Sequence, residues 1–225
     1  MYIVKKLAAP LLLTIALFVP AAAITKVKKR DVGRLTRSEI KEAESRLREM
    51  GYRLQALVTF QKWEGRKPTG RLTRAEFNAI RDATAPRPKD AGYKHVEVDL
   101  DRQVLLLTDD DGAVTTILPV STGSGKQYKE KRMSGLAYTP RGRFKIYGKI
   151  AGWRKSPLGL LYYPNYFSDG LAIHGNPSVP HDPQSHGCVR IPMSAAKEMS
   201  ERLEIGTIVL IYDAQSFVSA KEWAQ

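Results

Sequence analysis

The spacing of apolar residues changes near residue 93, and the change separates a helical front from a β-rich remainder. Ile40, Ala43, Leu47 and Met50 recur at helical intervals. They follow Thr36-Arg37-Ser38-Glu39, a capping-box pattern with Thr36 as N-cap and Glu39 at N3, and Gly51 suits the stop. Leu54, Leu57, Val58 and Trp63 predict a second helix. Thr73-Arg74-Ala75-Glu76 repeats the capping box before a third helix carrying Phe77 and Ile80. Three helices this short make a marginal core that has to lean on a neighbour.

Thr84 to Gly92 holds two prolines among polar residues and reads as a linker. Strand patterns follow. His95 to Leu100 alternates, and Val104 to Leu107 is a short apolar run. Asp110-Asp111-Gly112 supplies a hairpin turn into Val114 to Val120, which Ser121 to Gly125 closes as a flexible loop. Phe144 to Lys149 predicts a strand. Trp153 to Phe167, rich in Tyr, Pro and Gly, is either an aromatic wall or loop packing. Leu171-Ala172-Ile173 is a brief strand delivering His174. Ser194 to Leu203 predicts a helix with Ser194 as N-cap and Gly206 as stop, before a closing strand over Thr207 to Tyr212.

At the N-terminus, Lys5-Lys6, the apolar run Leu7 to Val19 and Ala21-Ala22-Ala23 have the layout of a secretory signal peptide with an A-x-A cleavage site. An uncleaved anchor is the other reading. The expected division is a signal peptide over 1–23, a basic connector over 24–34, a small helical domain over 35–84, a linker over 85–92, a mainly β domain over 93–213 and a tail over 214–225.

The composition, 43% hydrophobic and 26% charged, is that of a globular protein. The formal charge of +13 is uneven. Through Ala91 the chain carries 20 Lys+Arg against 9 Asp+Glu, and from Gly92 it carries 16 against 14. A basic front suits an anionic envelope surface or a solvated helical face. No zinc-finger spacing or RNA-binding aromatic motif accompanies the charge, so nucleic acid is not expected as a partner.

The candidate chemistry lies in Ala172 to Pro192, AIHGNPSVPHDPQSHGCVRIP. It contains the sole cysteine, Cys188, and three of the four histidines, His174, His181 and His186. One cysteine excludes an internal disulfide, and a thiol beside imidazoles is the minimal equipment for nucleophilic catalysis. Gly187 lets the backbone approach a substrate and aim N–H groups at an oxyanion. A zinc site built on these histidines and Cys188 matches no common ligand spacing, so neither metal nor cofactor is expected. His181, in a proline-rich loop, and His95, outside any motif, carry no assigned role.

Ser185-His186-Gly187-Cys188-Val189-Arg190, with Ile173-His174-Gly175 upstream, resembles the catalytic signature of the L,D-transpeptidases, the YkuD family. Ser121-Thr122-Gly123 and Thr139-Pro140-Arg141-Gly142-Arg143-Phe144 extend the resemblance over roughly Tyr93 to Tyr212. It implies a mainly β catalytic domain, a β-sandwich with a short helix, that cross-links peptidoglycan through a cysteine. In that family Cys188 is the nucleophile and His174 the general base, with the Gly175 carbonyl orienting the imidazole. His186 matches the family's supporting second histidine, and Arg190 suits a substrate carboxylate. Ser185, His186 and Arg190 are the expected substrate-binding residues, with Ser185 read as a hydrogen-bonder of the loop rather than a nucleophile, and the partners are peptidoglycan stem peptides. Ala56 to Trp63 with Thr69 to Thr73 resembles a fragment of a peptidoglycan-binding helical domain, without that family's longer Asp/Gly loop. Water as acceptor, giving an L,D-carboxypeptidase or another cysteine peptidase, and a non-catalytic wall-binding protein are the alternatives. The sequence leaves the oligomeric state open.

Overall fold

The computed structural model describes residues 34–130 and 133–216. The signal-peptide segment, most of the basic connector and residues 217–225 of the tail lie outside the described residues.

Helix α1 (Arg37–Glu49) opens on the expected capping box, with Thr36 Oγ1 accepting from the Glu39 N–H and Glu39 accepting from the Thr36 N–H at 2.8 Å. It ends at Gly51, whose φ of +94° is the left-handed conformation a helix stop uses. Helix α2 (Ala56–Trp63) follows Gln55, which is itself left-handed. Helix α3 (Arg74–Asp82) forms only half of its predicted capping box. Thr73 Oγ1 accepts from the Glu76 N–H, but the Glu76 carboxylate turns to the Arg66 guanidinium at 3.0 Å, because a charged donor outcompetes a main-chain amide. Arg74 ties α3 back to Glu39 on α1, and that guanidinium with the Thr36 amide holds the Glu39 carboxyl down at about 2.

Among the described residues twelve strands follow. They are β1 (His95–Asp99), β2 (Val104–Thr108), β3 (Val114–Pro119), β4 (Gln127–Glu130), β5 (Met133–Leu136), β6 (Gly142–Lys145), β7 (Gly148–Lys149), β8 (Trp153–Ser156), β9 (Gly159–Ser168), β10 (Leu171–Asn176), β11 (Val189–Pro192) and, after helix α4 (Met193–Arg202), β12 (Ile208–Tyr212). One sheet runs β3-β2-β1-β12-β6 and a second β11-β10-β9-β7, with β8 on β9 and β4-β5 a separate hairpin.

The inner faces of the two sheets and α4 enclose one core, including Val96, Val98, Leu105, Leu107, Ile173, Val189, Ile191, Met199 and Leu203. The apolar run in β2 is buried on both faces. Leu105 and Leu107 enter that core, while Val104 and Leu106 join Ile117, Leu47, Phe60 and Ile80 in a second core beneath the helices. The three helices therefore cover one side of the first sheet, which supplies the neighbour their small core needs.

Several elements depart from the sequence pattern. The strand expected over Phe144 to Lys149 is two strands. The chain leaves β6 at Ile146, whose N–H bonds Thr207, and at Tyr147 its N–H bonds Tyr166, so it crosses from one sheet to the other. Trp153 to Phe167 is neither loop nor wall alone but the β8–β9 hairpin, interrupted by Tyr163 at φ +49°. Ser194 lies inside α4, because the helix starts directly from Pro192 at the end of β11, and it ends at Leu203, short of Gly206.

The polar alternation of β1 faces inward. His95 and Glu97 are both fully buried and bonded together at 3.2 Å, with His95 also bonded to the Tyr93 carbonyl and Glu97 to the Tyr212 hydroxyl. His95 is thus a satisfied structural histidine.

Candidate active site

Strands β10 and β11 pair in parallel, with His174 opposite Arg190 and Ile173 opposite Val189. This register carries Cys188, just before β11, to the end of the strand that holds His174. His174 belongs to β10 itself rather than to the chain after it. The strand can hold Gly175 at this point because no side chain fits there. A Cβ on Gly175 would lie 2.6 Å from the Ala196 Cβ of α4.

His174 is 4% exposed, and its Nδ1 lies 2.9 Å from the Gly175 carbonyl oxygen. A carbonyl only accepts, so Nδ1 carries the proton and Nε2 is left as the acceptor. Burial pulls the imidazole down to about 4, the Gly175 hydrogen bond opposes that shift, and the nearby Arg190 charge adds to it. Cys188 is half-buried. Burial pushes its thiol up, while a main-chain hydrogen bond with Ala172 and the Arg190 charge push it down. Burial thus acts in one sense on both groups, favouring the uncharged thiol and the uncharged imidazole over their charged forms.

The bend before Cys188 is held from inside. Ser185, 3% exposed, donates from Oγ to the Cys188 carbonyl at 2.6 Å and accepts the Gly187 N–H at 3.0 Å. Gly187 has φ +144°, and a Cβ there would meet the Tyr138 carbonyl oxygen at 2.7 Å. Its own carbonyl accepts the Thr139 hydroxyl at 2.7 Å, and that hydroxyl in turn accepts the Gly123 N–H at 2.8 Å. The Gly187 N–H thus faces Ser185, not an incoming substrate. The Ser121-Thr122-Gly123 segment is built in rather than flexible. Ser121 and Arg190 exchange main-chain hydrogen bonds, and the Thr122 carbonyl accepts the Ser185 N–H at 2.8 Å.

His174, Ser185, His186, Cys188 and Arg190 all line one cleft of about 380 Å³. Its far walls are Ser156 to Leu161 and Tyr166, within the stretch the sequence offered as an aromatic wall, together with residues that sequence reasoning missed: Tyr128 and Met133 of the β4–β5 hairpin and Asp169 in the β9–β10 turn. His186 reaches the cleft from a bend, not from an extended strand. Its Nε2 lies 3.0 Å from Glu130 and its ring stands edge-on to Tyr128, so it meets the hairpin. Arg190 is half-buried, and among the described residues no carboxylate pairs with its guanidinium. His181 is exposed and lies outside this cleft. Among the described residues no three His, Cys, Asp or Glu side chains converge as metal ligands do.

Two packed layers of β-structure, with a cysteine and a histidine brought into one cleft by adjacent parallel strands, define a mainly β domain carrying a Cys–His site. Residues 93–211 match the family model described as YkuD, L,D-transpeptidase catalytic domain, and the chain belongs to that family. Its fold matches the crystal structure of the L,D-transpeptidase (residues 123-326) from Xylanimonas cellulosilytica DSM 15894 with a TM-score of 0.72 and 36% identity, covering 77% of this chain and 93% of that one. The L,D-transpeptidase (Yku) from Stackebrandtia nassauensis shares the fold at a TM-score of 0.50 and 24% identity, covering 82% and 95% respectively. No curated protein matches the chain.

Proposed function

We propose that the protein is an exported L,D-transpeptidase that forms peptidoglycan cross-links through an acyl-enzyme on Cys188. The observation that carries this reading is the placement of Cys188 and a tautomer-fixed His174 in one cleft. In the first half-reaction the Cys188 proton passes to His174 Nε2 as Sγ attacks the carbonyl preceding the terminal D-Ala of a tetrapeptide stem. The Sγ–C bond forms, the C–N bond breaks, and the imidazolium returns the proton to the departing D-Ala amine. In the second, an amine on another stem attacks the thioester, loses its proton to His174, and Cys188 leaves as the thiol. The oxyanion of each step is met by main-chain amides at Gly187–Cys188, the Gly187 N–H joining only by releasing Ser185 Oγ. Arg190, which no carboxylate of the described residues pairs, is the group suited to a stem carboxylate. Ser185 and His186 hold the loop and the hairpin in place around the substrate.

The basic residues before Gly92 would favour an anionic envelope surface. The helical layer is the candidate wall-contacting part. Among the described residues no helix is long and apolar enough to cross a membrane.

Intact-mass spectrometry of the protein incubated with a carbapenem tests the nucleophile. One covalent adduct is expected, absent in Cys188→Ala and slowed in His174→Ala. Disaccharide tetrapeptides should then yield cross-linked dimer with release of D-Ala. An adduct accompanied by trimmed stems alone would replace the amine acceptor with water.

A further inference from the structure

Lys62 lies on α2, in the helical layer, yet the residue is only 7% exposed. Among the described residues no carboxylate lies within ion-pair distance of its ammonium. Instead Nζ donates to two main-chain carbonyls, Gln103 at 3.2 Å and Val120 at 3.2 Å. Burial pulls this amine down to about 8, with the Asp182 charge opposing the shift. A buried lysine is an expensive way to fill a gap that an aliphatic side chain would fill, so its two acceptors are the informative part.

Both acceptors lead to the segment bonded to the cysteine loop: Val120 directly precedes Ser121-Thr122-Gly123, and Gln103, in the β1–β2 turn, reaches Thr122 with its side chain. Gln103 is 3% exposed and left-handed, with φ +52°. Its carboxamide grips Thr122 from both ends: Nε2 donates to Thr122 Oγ1 at 2.7 Å, and Oε1 accepts the Thr122 N–H at 2.9 Å. This two-sided bond fixes which amide atom is oxygen. The Thr122 carbonyl then takes the Ser185 N–H, and Ser185 Oγ holds both Gly187 and Cys188. A continuous line of hydrogen bonds thus runs from α2 to the residue bearing the thiol.

We infer that Lys62 and Gln103 are positioning residues for Cys188, and that through them the helical layer sets the geometry of the thiol. The inference rests on Cys188 being the nucleophile of the proposed reaction. Neither side chain touches the cleft. Their effect is on the near-attack geometry, where small displacements of a reacting atom change rates by large factors.

The test uses the full chain with Lys62→Met and Gln103→Met, which keep bulk and remove the hydrogen bonds. Melting temperature reports folding, and carbapenem acylation well below the melting point is resolved into a binding constant and a maximal rate. Positioning predicts a maximal acylation rate lower by about tenfold or more with an unchanged binding constant. Alkylation of Cys188 by iodoacetamide, which needs only an accessible thiol, should stay within about twofold of the unsubstituted protein. The double variant should be no slower than Gln103→Met alone, because both act on one line of contacts. A lowered melting point with unchanged acylation in either variant would overturn the inference and leave Lys62 a stabilising residue. If Lys62→Met does not fold, Gln103→Met alone decides. Absence of any adduct on the unsubstituted protein would instead overturn the proposed function.

Discussion

His174 makes folding stability depend on pH in a window that no exposed group would give. The unfolded imidazole titrates at its ordinary value of 6.5, while in the folded chain burial holds it at about 4. Between those values the unfolded chain binds a proton that the folded chain does not, so stability rises with pH there. The contribution is complete above about pH 6.5 and is lost progressively as pH falls through about 4. The displacement corresponds to about 3 kcal/mol at full protonation, and to about 2 kcal/mol between roughly pH 7.5 and pH 5. His174→Gln keeps a polar side chain of similar reach and does not titrate. Urea unfolding of both proteins at the two pH values should show the unsubstituted chain losing about 2 kcal/mol more than the variant. Parallel losses in the two proteins would refute the buried neutral imidazole, and with it the assignment of Nε2 as the resting proton acceptor.

The preference of both groups for their uncharged forms has a kinetic counterpart. The rate of Cys188 alkylation should climb steeply between about pH 6 and about pH 9, whereas a plateau reaching down to acid pH would reveal a thiolate–imidazolium pair. Gly175→Ala forces a methyl group to within 2.6 Å of Ala196 and 3.1 Å of Tyr162. Thermal denaturation should show a loss of about 1–3 kcal/mol, and acylation should slow because the carbonyl holding His174 moves. Thr139→Val removes the hydroxyl that links Gly123 to Gly187. It should cost about 1–3 kcal/mol in denaturant unfolding, since it leaves buried main-chain groups unsatisfied.

The site's central pair was legible because it is locally encoded. Ile173-His174-Gly175 and Ser185 to Cys188 are short strings, and a strand register needs only to bring them side by side. The cleft's outer walls were legible only in part, through the aromatic stretch Trp153 to Phe167. Gln127 to Glu130 and Met133 to Leu136 are largely exposed and lack apolar alternation, so nothing in their pattern announces the hairpin that meets His186. The β8–β9 hairpin is hidden by Pro157 and Pro164 and by the left-handed Tyr163, which breaks the period of two. Glu76 and Ser194 show the limit of capping patterns: Thr73 starts α3 as the pattern has it, but Arg66 takes the Glu76 carboxylate from the box, and the abutting strand β11 sets the start of α4. Lys62 reads in the sequence as an ordinary basic residue of an amphipathic helix. Only the packing of α2 on the first sheet turns it inward.

The second core has a practical corollary for anyone trimming this chain. A cut at the proline-bearing stretch before residue 93 would look natural, since the family match begins there. It would bare Val104, Leu106 and Ile117, now sealed under Leu47, Phe60 and Ile80, along one flank of the first sheet. Such a fragment would carry a sticky apolar strip prone to self-association, and a piece that keeps the strip covered begins near Leu35 rather than at Tyr93.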